Sequence, residues 1–230
     1  MGKQLMIDPV SVIIRTKNET RWIGYAIQSV LNNLNKPEII IVDNNSTDET
    51  LEIVRLFTQD KILGDKKNKN YTDIKILKID NYSPGRSINL GVKKAKNKFI
   101  LILSAHCQIQ NINLKKHMND LKKFACVFGE QIPIFKGKKL AKRYLWSHFE
   151  EKTKINMFSK YENRFFMHNA CSFFERQYLI KNKFNENLVG KEDRYWANLI
   201  IKKNKNILYD PQLKALHHYT TNGNTWKGLA

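Results

Sequence analysis

Val42-Asp43-Asn44-Asn45-Ser46-Thr47-Asp48-Glu49-Thr50 is the stretch that decides the fold of this chain. It joins the apolar run Ile39-Ile40-Ile41-Val42 to a segment of helical spacing that reaches Phe57. A buried strand over Glu38–Val42 therefore ends at Asp43 and delivers that carboxylate to a sheet edge. There it can accept hydrogen bonds from a base or a ribose. Ser46 with Glu49 three residues on reads as a capping box, opening a helix over Asp48–Phe57. Strand, acidic turn and capped helix is how an open α/β sheet builds a ligand crevice at its carboxyl edge. Taken alone, the stretch reads equally well as a capped βα loop with no ligand.

Upstream, Val10–Ile14 is a short apolar run, read as the first strand. A helix follows from Thr20 to Asn33, with Ile23, Ile27, Val30, Leu31 and Leu34 on one face. Downstream, a polar Lys/Asn-rich loop over 60–72 leads to a third strand marked by Ile74, Ile76 and Leu77. Ser83-Pro84-Gly85 is a turn, and Arg86 opens a helix to Lys96. Phe99–Leu103 is apolar throughout, as a central strand is. The resulting βαβαβαβ pattern predicts a mostly parallel sheet with helices on both faces. Beyond Ser104 the pattern changes. A helix is expected over 113–124, a strand over Ala125–Phe128, helical segments over Ser172–Asn182 and Asp193–Lys203, and two short strands, Ile207–Tyr209 and Leu213–Leu216. Residues 136–164 are basic and aromatic without a clean period.

The 230 residues suit one domain with a sizeable core. Within it, residues 9–107 read as a nucleotide-binding half, and 108–230 as an acceptor-binding half with a C-terminal lid. Three cysteines, Cys107, Cys126 and Cys171, show no metal spacing and suggest a reducing compartment. The apolar runs are strand length and the N-terminus lacks a leader's apolar core, so a cytoplasmic protein is expected. The net charge of +19 reads mainly as solvated lysines. It also suits a surface that attracts anions. Aromatics interleaved with bases on one face are missing, so no nucleic-acid partner is expected. Lys138–His148 mixes bases with Leu140, Tyr144, Leu145 and Trp146, a pattern suited to peripheral contact with an anionic membrane at its inner face.

Three strand-and-turn units come in a set order. They are Pro9–Glu19 (PVSVIIRTKNE), the Val42–Thr50 stretch, and Pro84–Gly91 (PGRSINLG) followed by Phe99–Ser104 (FILILS). With Glu192-Asp193 and His217-His218 they resemble the family-two nucleotide-sugar glycosyltransferases of the GT-A fold, from about residue 9 to the end. The resemblance implies an α/β GT-A fold and an inverting transfer. A sugar would pass from a nucleoside diphosphate donor to a hydroxyl of a bacterial surface glycan or a lipid-linked acceptor. It implies that Thr16, Glu19 and Asp43 line the base and ribose pocket, and that Arg86 approaches the nucleotide. Glu19 also reads as a helix N-terminal acid favoured by the dipole.

It further implies Asp193 as the general base that deprotonates the acceptor hydroxyl, with Glu192 binding acceptor or orienting its loop. Asn89 and Gly91 read as helix packing, and Trp146, His148 and His168 as packing rather than acceptor contact.

The chain departs from the family at the end of the fourth strand. Where Asp-x-Asp is usual, it carries Ser104-Ala105-His106. Both hard carboxylate ligands for Mg²⁺ or Mn²⁺ are absent, so a divalent metal cofactor is in doubt. Two uses of His106 remain open: it ligates a borderline metal, joined by His217 or His218, or it donates directly to phosphate. One of His217 and His218 is expected to face inward, because strand side chains alternate. Lys227, between Trp226 and Gly228, reads as a diphosphate contact on a mobile lid. A different class of reading is a degenerate sugar-nucleotide-binding scaffold without activity. A Rossmann dehydrogenase is disfavoured, because no Gly-x-Gly-x-x-Gly follows the first strand.

Overall fold

A computed structural model describes residues 9–58 and 73–222. The expected Lys/Asn-rich loop and Lys227 with its neighbours lie outside the described residues.

The first half alternates as expected. It runs β1 (Val10–Thr16), α1 (Ile23–Asn33), β2 (Glu38–Asp43), α2 (Thr50–Leu56), β3 (Asp73–Lys78), α3 (Pro84–Lys94) and β4 (Phe99–Ser104). β3, β2, β1 and β4 lie side by side, all parallel. Their side chains divide by parity. Ile13, Ile40, Ile100 and Ile102 enter one core with Ile88 and Val92 of α3. Val12, Ile14, Ile39, Ile41, Leu101 and Leu103 enter the other with Ile23, Ile27 and Val30 of α1. Period-two strands covered on both faces have no polar side, which is why these runs are apolar throughout. Each fully buried Ile or Leu contributes about 1.5–3 kcal/mol. Gly91 lets α3 approach closely, since a Cβ there would stand 2.7 Å from Ile13.

The second half continues the same sheet, apart from a two-stranded piece formed by β9 and β10. It contains β5 (Cys107–Asn111), α4 (Leu114–Asp120), β6 (Val127–Phe135), β7 (Lys138–Lys139), a 3-10 turn (Tyr144–His148), β8 (Lys154–Ile155), β9 (Phe158–Ser159) and β10 (Arg164–Phe165). Then come β11 (Cys171–Glu175), α5 (Arg176–Lys181), α6 (Glu192–Lys202) and β12 (Leu208–His218). The sheet order is β3-β2-β1-β4-β11-β6-β12-β5, with β11 antiparallel to β4 and to β6. β6 and β12 are parallel to each other, so the carboxyl end of β12 emerges on the same edge as those of β1 and β4.

Four expectations are corrected. The helix expected over Ser172–Asn182 is strand β11 followed by α5; Ser172-Phe173-Phe174 fills a slot beside β4 that no helix could occupy. The two short strands near the end are one, β12, interrupted by a bulge between Asp210 and Lys214. Strand β6 runs on to Phe135, well past Phe128. The capping box does not form. The Ser46 hydroxyl and amide turn back to the Asp43 carboxylate at 2.5 and 3.1 Å, and α2 begins only at Thr50, held by Asp48. An aspartate ending a strand competes for the serine more locally than the helix does.

Candidate active site

A cavity of about 810 Å³ opens at the carboxyl edge of β1 and β4. Arg15, Thr16 and Glu19 line it from the first strand and its loop, Ser104 and His106 from the fourth, and His168, Asn169 and Glu192-Asp193-Arg194 from the second half of the chain. Register explains the meeting of the first two sets. Arg15 pairs with Ser104 across parallel strands, so both turns leave the sheet at one level.

The carboxylates of the acidic pair stand in different surroundings. Both residues are 5% exposed and open α6. Glu192 takes a hydrogen bond from Arg15 at 3.1 Å. Burial pushes its carboxyl up, Arg15 opposes, and Asp193 beside it adds to the rise. Burial also acts to raise Asp193, but the Arg194 charge beside it and the hydrogen bonds from Arg194 and the Asn169 backbone outweigh it and hold that carboxyl below its ordinary range. The Arg194 guanidinium meets both Asp193 oxygens at 2.9 Å, and the Asn169 amide donates to one of them at 3.1 Å. Asp193 is therefore ionised at neutral pH, and its lone pairs are occupied in this state. Glu162 lies 3.6 Å from the Arg194 Nε and offers that arginine a second partner.

Glu19 does not cap its helix with its side chain. The carboxylate points to the His106 Nδ1 at 3.0 Å and accepts from the Thr220 hydroxyl at 3.2 Å. His106 meets His217 through their Nε2 atoms, 3.1 Å apart. Parity separates the last two histidines as expected. His217 turns inward to His106, while His218 stacks on Trp22 with ring centroids 4.1 Å apart.

The remaining expectations divide. Thr16, Glu19, Ser104, His106, Glu192 and Asp193 gather around the cavity. Asp43 stands 1% exposed behind it, bonded to Ser46, and is not among its lining residues. Arg86 turns away to Glu186 and the Asn81 carbonyl. Asn89 and Gly91 serve packing, Asn89 by pinning Phe184 and Glu186. Trp146 is core, but His168 lines the cavity. Arg15, Asn169, Glu162 and Arg194 went unread in the sequence. Only Arg15 left a signal there, a charge ending an otherwise apolar strand. Thr16 Oγ1 and Asn169 Nδ2 are buried at this cavity with no hydrogen-bond partner among the described residues. Each such atom costs about 1–3 kcal/mol unless something binds it.

A family model, glycosyl transferase family 2, matches residues 11–182. The chain belongs to glycosyl transferase family 2. Among curated relatives of this family-2 chain is GalNAc(5)-diNAcBac-PP-undecaprenol beta-1,3-glucosyltransferase of Campylobacter jejuni, 28% identical over 84% of this chain and 60% of that protein. Minor teichoic acid biosynthesis protein GgaA of Bacillus subtilis is 27% identical over 85% of this chain and 44% of its own length. The chain thus spans about half to three-fifths of the length of these two relatives. S. aureus TarS 1-349 in complex with UDP-GlcNAc superposes with a TM-score of 0.65, at 17% identity, over 96% of this chain and 61% of that one. GalNAc-T7 with UDP, GalNAc and Mn²⁺ does so with a TM-score of 0.67, at 16% identity, over 94% and 45%. The shared architecture is the GT-A fold.

The Mn²⁺ of that neighbour invites a comparison of donor sets. Here the fourth-strand turn offers Ser104 and His106 in place of carboxylates. Among the described residues no group of three or more His, Cys, Asp or Glu could hold a metal ion. Two imidazoles with the one Glu19 carboxylate beside them do not supply the oxygen-rich set that Mg²⁺ and Mn²⁺ prefer.

Three of these histidines also set the pH range of the fold. Burial lowers His168 to about 3 and His218 to about 4, and drives His217 well below its ordinary 6.5. Each binds a proton less readily folded than unfolded. Their contribution is thus complete above pH 6.5 and is lost as pH falls through the folded values. The thermal midpoint should drop steeply between pH 6.5 and about 4. A midpoint that stays level across that window would show that these imidazoles are not buried in neutral form.

Proposed function

We propose that this chain transfers a sugar from a nucleoside diphosphate donor to a hydroxyl of a bacterial surface glycan or lipid-linked acceptor, with inversion at the anomeric carbon. The observation that carries this reading is an ionised, buried Asp193 that lines one cavity together with Arg15 and His106. Inversion needs a base on one side of the anomeric carbon and a stabilised leaving group on the other. The undecaprenol-linked substrate in the Campylobacter jejuni relative's name and the UDP-GlcNAc bound to TarS support the two substrate classes.

In this reading, Thr16 and Glu19 hold the ribose side of the donor, and Lys227 and Asp43 remain proposed contacts. Arg15, His106 and the Asn169 side-chain Nδ2, which has no hydrogen-bond partner among the described residues, face the diphosphate and the sugar. Asp193, freed as Arg194 shifts to Glu162, takes the acceptor proton as its oxygen attacks. Glu192 holds Arg15 in place. The test is a thermal-shift screen against UDP, GDP, dTDP and CMP sugars, followed by transfer with the donor that stabilises the fold. One donor should stand out by mass action. Stabilisation by none of them, with no transfer, would overturn the reading.

No step runs through a metal ion. Turnover should be unchanged, within about twofold, by EDTA or by added Mn²⁺. Full dependence on Mg²⁺ would mean that other carboxylates enter the site with donor.

Peripheral contact with the inner face of an anionic membrane belongs to the same proposal. Every residue from Phe135 to Tyr144 is exposed. The stretch carries Lys136, Lys138, Lys139, Lys142 and Arg143 and no acid. Phe135, Leu140 and Tyr144 are 36%, 39% and 72% exposed, and Tyr144 also lines the cavity. Each base near an anionic surface contributes about 1 kcal/mol, and the apolar tips enter the headgroup layer. The chain should float with phosphatidylglycerol vesicles and not with phosphatidylcholine ones, less so at high salt. Equal recovery with both lipids would rule this contact out. No helix of the described residues is long and apolar enough to cross a membrane.

A further inference from the structure

Gln131 of β6 is fully buried between two histidines. Its Oε1 lies 2.8 Å from the His217 Nδ1, and its Nε2 lies 2.9 Å from the His168 Nδ1. The Ala170 backbone amide donates to the same His168 nitrogen at 3.2 Å. A backbone N–H can only donate, so the His168 Nδ1 carries no proton. Gln131 must then offer its N–H to His168 and its oxygen to His217. His217 must answer with a proton on Nδ1.

Burial, with His106 close by, keeps His217 neutral, so its Nε2 is bare. That bare nitrogen faces the His106 Nε2 at 3.1 Å, and His106 must donate to it. The other nitrogen of His106 faces the Glu19 carboxylate at 3.0 Å, which accepts. One backbone amide, together with a His217 kept neutral by burial, thus sets the direction of the hydrogen bonds from Ala170 to His106.

We propose that Gln131 is a positioning residue for sugar transfer: by setting the tautomers of His168 and His217 it holds His106 as a donor at both ring nitrogens. His106 lines the cavity beside Ser104, where carboxylates and a cation are usual for the family. A donor-only imidazole supplies there what a bare imidazole cannot, two N–H groups directed by fixed partners and free of metal. When the diphosphate enters, His106 can turn one N–H from His217 to a phosphate oxygen without changing its proton count. This inference rests on the glycosyltransferase reading for its role in turnover, but not for its hydrogen-bond order.

Long-range ¹H–¹⁵N spectra of the labelled chain at neutral pH test the order directly. His217 should show a proton on Nδ1 and none on Nε2, His168 a bare Nδ1, and His106 protons on both nitrogens. In Gln131→Met, His217 should lose its single tautomer. Turnover should fall about 10- to 100-fold, the scale of one hydrogen bond to a charged group, with a smaller change in donor KM. A bare Nδ1 on His217 in the unsubstituted chain overturns the proposal even if Gln131→Met does not fold. So does a folded Gln131→Met that turns over normally. The spectra are recorded without ligand. Absence of transfer with every donor would therefore count against the enzyme reading and leave the tautomers standing.

Discussion

Asp193→Asn should lower sugar transfer by about two to four orders of magnitude, the usual span of general acid–base catalysis. Asparagine keeps the shape and can still accept from Arg194 and the Asn169 amide, the two partners that seat Asp193. It cannot take a proton. Donor affinity should change little, because the groups proposed to hold the donor are Thr16, Glu19, Arg15 and His106 rather than Asp193. Glu192→Gln supplies the contrast. Burial raises the Glu192 carboxyl, and its main partner is Arg15, so its loss should disturb donor binding more than proton transfer. If Glu192→Gln abolished turnover while Asp193→Asn left it near normal, the two roles would have to be exchanged.

His106→Ala should reduce transfer by about 10²–10³-fold, the effect of deleting one preorganised donor to developing negative charge. Two partners lose their contact at once, Glu19 and His217. Added Mn²⁺ should not rescue the variant, since the fourth-strand turn carries no carboxylate to recruit it. Rescue by imidazole in solution would agree with a donor role. A variant that kept more than about a tenth of the original rate would remove His106 from the leaving-group side.

The parallel half was legible because its physics is local. Ile39-Ile40-Ile41-Val42 and Phe99–Leu103 are apolar throughout, and a sheet covered on both faces is the ordinary way to bury such runs. Alternation likewise separated His217 from His218 without structural information. Cys171–Glu175 was misread because a five-residue strand runs directly into a helix, with no turn residue between them to mark the change. The capping box failed for want of one fact, that Asp43 lies close enough to capture Ser46. Gln131, Asn169 and Arg194 carry no sequence signal of their own. Gln131 and Asn169 gain their roles from neighbours contributed by distant elements, and Arg194 from Asp193 beside it and Glu162 far along the chain. Gln131 stands 86 residues from His217, and no spacing rule spans that distance.

The bulge in β12 has a bearing on how this chain could vary. Asp210 pairs with Gly129 and Lys214 with the next residue, Glu130, so Pro211, Gln212 and Leu213 have no opposite number on β6. Gly129 makes room for the excursion, since a Cβ there would fall 2.1 Å from the Leu213 carbonyl oxygen. An odd number of extra residues reverses which face the rest of the strand presents. The excursion is thus a phase shifter that acts before the strand reaches His217. Removing one of its residues would rotate the later strand by half a turn and offer His218 to the cavity, while the sheet could still close. Lengths that differ by two would keep the phase, and lengths that differ by one would exchange the two histidines.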